Sequence, residues 1–274
     1  MSTPNGYLSP AVAGSGAIAL GLAATATRLG EVRVLARSDT SAWRAEERGE
    51  ELCGNVEGGD PANLKVTTEP AHLEGCDLVV EAIAEERDSK VALHATLASA
   101  CPNADLATTT SSLGIAGLAR EADAGERFYG LHVFNPVTRM DLIELCLPDE
   151  LADGVGDRAR TFCEALGKRA VEVPDQPGFV VNRLLFPFLF DAVRMIERTG
   201  LAPADVDACM SMGAGHPMGP LKLLDFVGLD VAAAIGESLH ADGGDAAHEV
   251  PGRITLMIGE GKLGRKSGEG FYPY

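Results

Sequence analysis

Ala13-Gly14-Ser15-Gly16-Ala17-Ile18-Ala19 decides how the first half of this chain is read. It fits G-x-G-x-x-A, with a short apolar run at 11–13 before it and an alanine-rich helical pattern at 17–29 after it. In a strand–turn–helix unit the first glycine makes the tight turn and the second lets a pyrophosphate approach the backbone. The small third residue lets helix and strand pack closely, and the helix N-terminus faces the phosphates. Gly14, Ser15, Gly16, Ala17 and Ile18 are therefore the expected dinucleotide-binding residues.

Outward from this loop, β-rich runs at 32–36, 64–67, 78–82, 105–109 and 128–132 alternate with helical runs. That alternation predicts a parallel sheet with helices on both faces. Residues 40–60 are charged and glycine-rich and read as a helix followed by a loop. After Val171-Glu172-Val173-Pro174 strand signals fade. Residues 179–199 read as one long apolar helix with Pro187 as a kink, and 203–212 as a second helix with Pro203 in its first turn. A rigid turn at 213–220 precedes further helix at 221–235. The expected class is α/β: a Rossmann-type doubly wound domain over 1–174, then an all-α domain over 175–274.

Composition narrows the function. The chain has 274 residues, 46% hydrophobic, and a formal charge of −17. Length and apolar content suit two modest domains with real cores. The acidic balance argues against nucleic acid, though a local basic site can still take an anionic ligand. No apolar run is long enough for a bilayer, and the first six residues lack a signal-peptide pattern. Cysteines at 53, 76, 101, 146, 163 and 209 contain no C-x-x-C pair. Neither a metal site nor a disulfide framework is expected, and a cytoplasmic location is the simplest reading.

The usual mark of an NAD site is an acid about 20 positions beyond the glycine loop. Here the second strand ends Val34-Leu35-Ala36-Arg37-Ser38. A guanidinium at Arg37 would pair with a 2′-phosphate and Ser38 would donate to the same group, which favours NADP over NAD. The alternative leaves Arg37 in solvent and brings Asp39 to the ribose. Further on, Gly130-Leu131-His132-Val133-Phe134-Asn135-Pro136 runs through Met140 to Glu144. A histidine with an orienting carboxylate, in a chain with a dinucleotide fingerprint, reads as a proton-transfer residue.

Taken together these motifs resemble the L-3-hydroxyacyl-CoA dehydrogenase family. The resemblance extends to Glu81-Ala82-Ile83-Ala84-Glu85 with Lys90, to Thr108-Thr109-Thr110-Ser111-Ser112-Leu113, and to Pro177-Gly178-Phe179-Val180-Val181-Asn182-Arg183. It continues from Pro217 to Asp230 and through Gly264-Arg265-Lys266-Ser267-Gly268-Glu269-Gly270-Phe271-Tyr272. It implies His132 as the catalytic acid/base, Glu144 as its orienting carboxylate, Ser111 as a donor to the reacting oxygen and Asn182 as a substrate-polarising amide. It places Asn135 near the nicotinamide and Glu85 and Lys90 on the ribose side of the cofactor. The implied substrate is an acyl-CoA or related thioester, and the implied assembly is a homodimer.

Ser111 also suits a helix N-cap, and the two roles are compatible. His216 reads as structural; His72, His94, His240 and His248 have no matched partner. Three features depart from the family pattern: Arg37 for the acid, Thr109 for an asparagine, and a short segment between the second strand and Glu81. The family's helical arm at that segment helps cover the CoA nucleotide. Its shortness leaves two rivals to free CoA thioesters: a substrate on a carrier protein, or a free hydroxy acid of sugar-acid type. A third rival is a nucleotide sensor on an inactivated scaffold.

Overall fold

The computed structural model describes residues 6–274. Residues 1–5, part of the N-terminal pattern above, lie outside the described residues. The chain divides into two compact units, Met1–Gln176 and Pro177–Tyr274. Asp175 sits in the first, where its carboxylate accepts from the amides of Ile115 (2.8 Å) and Ala116 (2.9 Å).

The first unit is built on one eight-stranded sheet: β1 (Pro10–Ala13), β2 (Val32–Leu35), β3 (Leu64–Thr67), β4 (Leu78–Glu81), β5 (Asp105–Thr108), β6 (Phe128–Val133), β7 (Leu142–Cys146) and β8 (Arg169–Glu172). Their order is β3-β2-β1-β4-β5-β6-β7-β8. β1, β4, β5 and β6 are buried along their whole length, as strands covered on both faces must be. The order reverses between β1 and β4, and the crevice beyond their C-terminal ends is where doubly wound sheets bind ligands.

The sequence pattern anticipates the first six strands and misses the last two. β7 runs antiparallel to β6, so the sheet is not wholly parallel. The segment 134–141 is too short for a crossover, which needs a dozen or more residues, so the chain turns straight back. β8 then lies parallel to β7, reached through α5 (Val155–Ala165).

The crossover helices are α1 (Ala17–Ala26), α2 (Asp39–Cys53), α3 (Arg87–Ala100) and α4 (Ile115–Glu121). α1 is nearly all alanine, glycine and leucine, and residues 19–26 are buried without a break. Small side chains let it be enclosed: a Cβ on Gly21 would lie 3.0 Å from the Val137 side chain.

The second unit is helical: α6 (Val181–Thr199), α7 (Pro203–Ala208), α8 (Pro220–Val227), α9 (Leu229–Ala241) and α10 (Gly252–Gly259). α6 carries Pro187 internally and buries Phe186, Leu189, Phe190, Val193 and Ile196, the spacing of a helix with one apolar face. Two expectations need correction. Residues 203–212 are not one regular helix, because α7 gives way to a π-turn over Cys209–Gly213. Residues 221–235 are split, because Gly228 at φ +101° cannot continue a right-handed helix.

Two buried carboxylates organise this unit. Asp207 accepts from Leu221 N, Lys222 N and Tyr272 Oη, closing the start of α8. Asp225 accepts from Phe271 N (2.8 Å), Tyr272 N (2.9 Å) and Tyr274 Oη (3.2 Å), holding the C-terminal segment. A Cβ at Gly270 would overlap the Asp225 carboxylate. The motifs around 217–230 and 264–272 thus have a structural role.

Candidate active site

The sheet sets the geometry of the histidine. In the antiparallel register His132 on β6 faces Glu144 on β7, and directly opposed residues bring their side chains together. His132 Nδ1 lies 2.7 Å from Glu144 Oε2. His132 is 6% exposed and Glu144 2%. An ionised carboxylate only accepts, so Nδ1 is the nitrogen that donates to it. Phe134 stands edge-on to the imidazole at 4.7 Å. The twelve-residue separation between the two side chains in the chain is thereby closed by strand pairing.

The glycine loop sits at the reversal of strand order. Gly14 has φ +143°, and a Cβ there would overlap the Ala82 carbonyl oxygen just beyond β4. Gly16 precedes α1 as its N-cap with no side-chain capping bond, and a Cβ there would meet nothing within 4 Å. Gly16 and Ala17 are exposed, so the start of this ten-residue helix is open, a fit for a pyrophosphate. Ala19, the small third position, is fully buried against this turn.

Two pockets flank Ser15. One, of about 230 Å³, is lined by Gly14, Leu35, Ala36, Arg37, Ile83 and Leu93, among others. Its apolar walls with a cation suit an adenosine end. Arg37 has no ion-pair partner among the described residues. Ser38 is the N-cap of α2, its Oγ accepting from Ser41 N at 3.3 Å. Asp39 is the first residue of α2. The second pocket, about 320 Å³, is lined by Ser15, Ala17, Arg44, Arg48, Asn135 and Thr138, among others. Arg44 and Arg48 are one turn apart on α2, sharing a face; Arg48 also pairs with Glu51.

Beyond β4 and β5 lies a cluster that the sequence only half revealed. Glu85 Oε1 accepts from Thr110 Oγ1 (2.6 Å), Ser111 N (2.8 Å), Ser111 Oγ (3.3 Å), Ser112 N (2.9 Å) and Ser112 Oγ (2.8 Å). This carboxylate shapes the loop that carries Ser111. Because β5 and β6 are neighbours, with Thr108 beside Gly130, the loop lies next to the strand that carries His132. Ser111 is not a helix cap: α4 starts four residues on, with Gly114 as N-cap and Asp175 serving its amides.

Lys90, which the resemblance places with Glu85 on the ribose side of the cofactor, is fully buried. Its Nζ is 2.7 Å from Glu81 Oε1 and 3.4 Å from Glu85 Oε2. Glu81 is also fully buried and accepts from Ile83 N and Thr108 Oγ1, both at 2.7 Å. His94, read from sequence as unpartnered, places Nε2 3.2 Å from Glu81 Oε2. The i,i+4 spacing of Lys90 and His94 was the available signal. Burial raises the Glu81 carboxyl, but the His94 hydrogen bond, the Lys90 charge and the Ile83 amide outweigh it and bring it to about 2. Burial likewise raises Glu85, and the Lys90 charge with the Thr110, Ser112 and Ser111 bonds lowers it below the ordinary value.

Asn182 lies in the first turn of α6 in the second unit, 9% exposed. Its loop begins with Gly178 at φ +76° and Phe179 at φ +44°, and a non-glycine residue at positive φ is rare. Among the described residues no cluster of side chains could hold a metal, and no helix is long and apolar enough to cross a membrane.

Known proteins align with nearly the whole chain. Residues 10–176 match the model of the 3-hydroxyacyl-CoA dehydrogenase NAD binding domain, and 178–274 that of the C-terminal domain. Human mitochondrial hydroxyacyl-coenzyme A dehydrogenase is 35% identical over 282 residues, covering 96% of this chain and 90% of the relative. The crystal structure of (S)-3-hydroxybutyryl-CoA dehydrogenase PaaH1 from Ralstonia eutropha superposes with a TM-score of 0.91 at 30% identity, covering 98% of this chain and 99% of the other. A diketoreductase acting on dicarbonyl compounds superposes with a TM-score of 0.83 at 25% identity, covering 98% and 99%. With a nucleotide loop at the switch point and matches across both units, the chain belongs to the 3-hydroxyacyl-CoA dehydrogenase family of oxidoreductases.

Proposed function

We propose that this protein interconverts 3-hydroxyacyl and 3-oxoacyl thioesters of coenzyme A, with His132 as acid/base. The 2.7 Å contact between buried His132 and Glu144 carries the reading. Glu144 holds the tautomer that leaves Nε2 to take the hydroxyl proton, and it stabilises the imidazolium that forms. Ser111 donates to the reacting oxygen, and Asn182 polarises the substrate. Gly14, Ser15, Gly16, Ala17 and Ile18 hold the coenzyme diphosphate, Glu85 the ribose side, and Asn135 the nicotinamide side. When bound, the nicotinamide supplies or accepts the hydride.

NADP is the preferred coenzyme in this reading. Arg37 lines the adenosine-side pocket, and Ser38 stands beside it at the N-cap of α2. Reduction of the 3-oxo compound is then the working direction. Arg44 and Arg48 line the second pocket and suit the anionic tail of coenzyme A. Exposed Leu184, Phe226, Met212 and Leu256 on the second unit support a homodimer formed through it. Free cysteines, five of the six buried, suit a reducing cytoplasm.

One observation favours a second reading. α2 ends at Cys53 and β3 starts at Leu64, leaving no long arm over a nucleotide. A carrier-bound or free hydroxy acid fits that opening. Steady-state reduction of acetoacetyl-CoA, an acetoacetyl carrier protein and free acetoacetate, each with NADH and NADPH, separates these. The proposal expects acetoacetyl-CoA with NADPH to give the highest kcat/KM. No turnover of the CoA thioester sinks it, and a strong NADH preference removes the NADP assignment.

A further inference from the structure

We propose that Lys168 is a positioning residue: its buried ammonium holds the connection between β6 and β7 against α1 and so sets the wall that meets the nicotinamide. The inference rests on Asn135 standing beside the nicotinamide, as assigned above. Lys168 is 8% exposed, and a lysine this buried ordinarily has a carboxylate partner. Its Nζ instead donates to two carbonyl oxygens of the connection, Val137 O at 2.6 Å and Met140 O at 2.7 Å. It makes no ion pair among the described residues. Burial pulls the ammonium below its usual value; Asp141 and Cys163 oppose that pull and Arg28 adds to it. A methionine would fill the same space without desolvating a charge. What the ammonium adds is a single group able to donate to both carbonyls at once.

The backbone that carries Lys168 is fixed on both sides. Its own amide donates to Cys163 O (3.0 Å) near the end of α5, and the amide of Arg169 donates to Asp141 O (2.7 Å) just before β7. The connection it clasps is itself a tight turn, with Pro136 O accepting from Arg139 N and Met140 N. Val137 is buried and lies against Gly21 of α1, where a Cβ would come within 3.0 Å of its side chain. The ammonium on its carbonyl and α1 on its side chain together leave Val137 no room to shift. Asn135 and Thr138, on either side of Val137 in the chain, line the pocket shared with Ser15 and Ala17. Lys168 does not line that pocket, so any effect it has on the coenzyme passes through the connection.

The test uses the full-length protein and Lys168→Met, which keeps an unbranched side chain and removes the charge. Calorimetric titration compares each coenzyme with the same molecule lacking its nicotinamide: NADPH with 2′-phospho-ADP-ribose, and NADH with ADP-ribose. The positioning role predicts that affinity for the whole coenzyme falls about fivefold, near 1 kcal/mol, while the truncated ligands stay within about twofold of wild type. The kcat for acetoacetyl-CoA falls on the order of tenfold, equivalent to about 1.4 kcal/mol. Amide hydrogen exchange at 137–141 quickens while that of α3 is unchanged. If Lys168→Met does not fold, Val137→Ala removes the side-chain anchor on α1 and should move the same readouts the same way, less strongly. Equal weakening of whole and truncated coenzymes would make Lys168 a general support of the first unit and overturn the proposal. A lowered melting temperature with unchanged affinities and kcat also overturns it. Asn135→Ala checks the premise: if it leaves the gap between whole and truncated coenzyme as in wild type, the Asn135 assignment fails, and exchange at 137–141 alone decides whether Lys168 holds the connection. A wild-type protein inactive on acetoacetyl-CoA defeats the substrate reading, and the titrations still decide the positioning role.

Discussion

Glu81 in the first unit and Asp225 in the second are both wholly buried carboxylates, yet their environments drive them in opposite directions. Glu81 faces an ammonium, a hydroxyl, an amide and an imidazole, and is held at about 2. Asp225 faces two backbone amides and a phenol. Burial dominates there, and those neutral donors do not offset it, so its carboxyl is raised. Burial alone does not set the sign; the His94 hydrogen bond and the Lys90 charge set it at Glu81. The comparison also separates two uses of an acid. Around Glu81 the charges are tied to a loop at the coenzyme end of the sheet. Around Asp225 they secure the end of the chain.

The division can be broken by experiment. The largest effect is expected at the paired imidazole: His132→Ala should lower kcat by roughly 10²–10⁴-fold, the usual share of general acid–base catalysis. Calorimetry should find a folded protein with a lowered melting temperature, because the buried Glu144 loses its partner. Undiminished kcat in the folded fraction would make His132 a structural residue like those around Asp225.

Next comes Glu81→Gln, which takes the closest counterion from a buried ammonium and should destabilise the first unit by about 3 kcal/mol. Acid titration sharpens the point. The Glu81 carboxyl falls from 4.5 to about 2 on folding, so its stabilisation is present above 4.5 and is lost as pH drops toward 2. At about 1.4 kcal/mol per pH unit that loss is on the order of 3 kcal/mol. Asp225 works the other way: with its carboxyl raised on folding, its contribution is full below the ordinary value of 3.8 and is lost as pH rises through the folded one. Urea unfolding between pH 3 and 7 should therefore show acid sensitivity in wild type that Glu81→Gln reduces.

Asp225→Asn should cost about 1–3 kcal/mol, because its amide nitrogen would meet a backbone donor where an oxygen now accepts. Unfolding of the second unit reads this, and kcat of the folded fraction should be unchanged. A fall in kcat with intact stability would give this acid a share in the chemistry and dissolve the contrast. The smallest effect is expected at the coenzyme: Arg37→Asp should shift the NADPH-to-NADH ratio of kcat/KM by about tenfold toward NADH, near 1.4 kcal/mol. No shift would leave Arg37 in solvent.

Much of this was legible in the sequence because local rules and tertiary structure agree. The strand–glycine–helix pattern around Gly14 and the alternation through β6 need only nearest neighbours to be read. β7 was hidden because Leu142-Ile143-Glu144-Leu145-Cys146 is a short apolar run whose period does not distinguish strand from helix. The His132–Glu144 pair was visible as residue types, but its register depends on β7. The partner of His94 was hidden for a different reason. Polar residues on a crossover helix are ordinarily assigned to solvent, and only the buried Glu81 at the end of β4 draws them inward. The break at Gly228 was legible in principle, since glycine is the residue that tolerates φ +101°.

The hairpin between β6 and β7 has one more consequence. Strand side chains alternate, so a single residue added within β7 before Glu144 would flip the acid to the opposite face. One added at 134–141 would leave the pairing frame untouched. Yet Asn135 and Thr138 in that same connection line a pocket beside the glycine loop. The molecule thus keeps the His132–Glu144 pair under strict parity, while the connection beside it is free of that constraint.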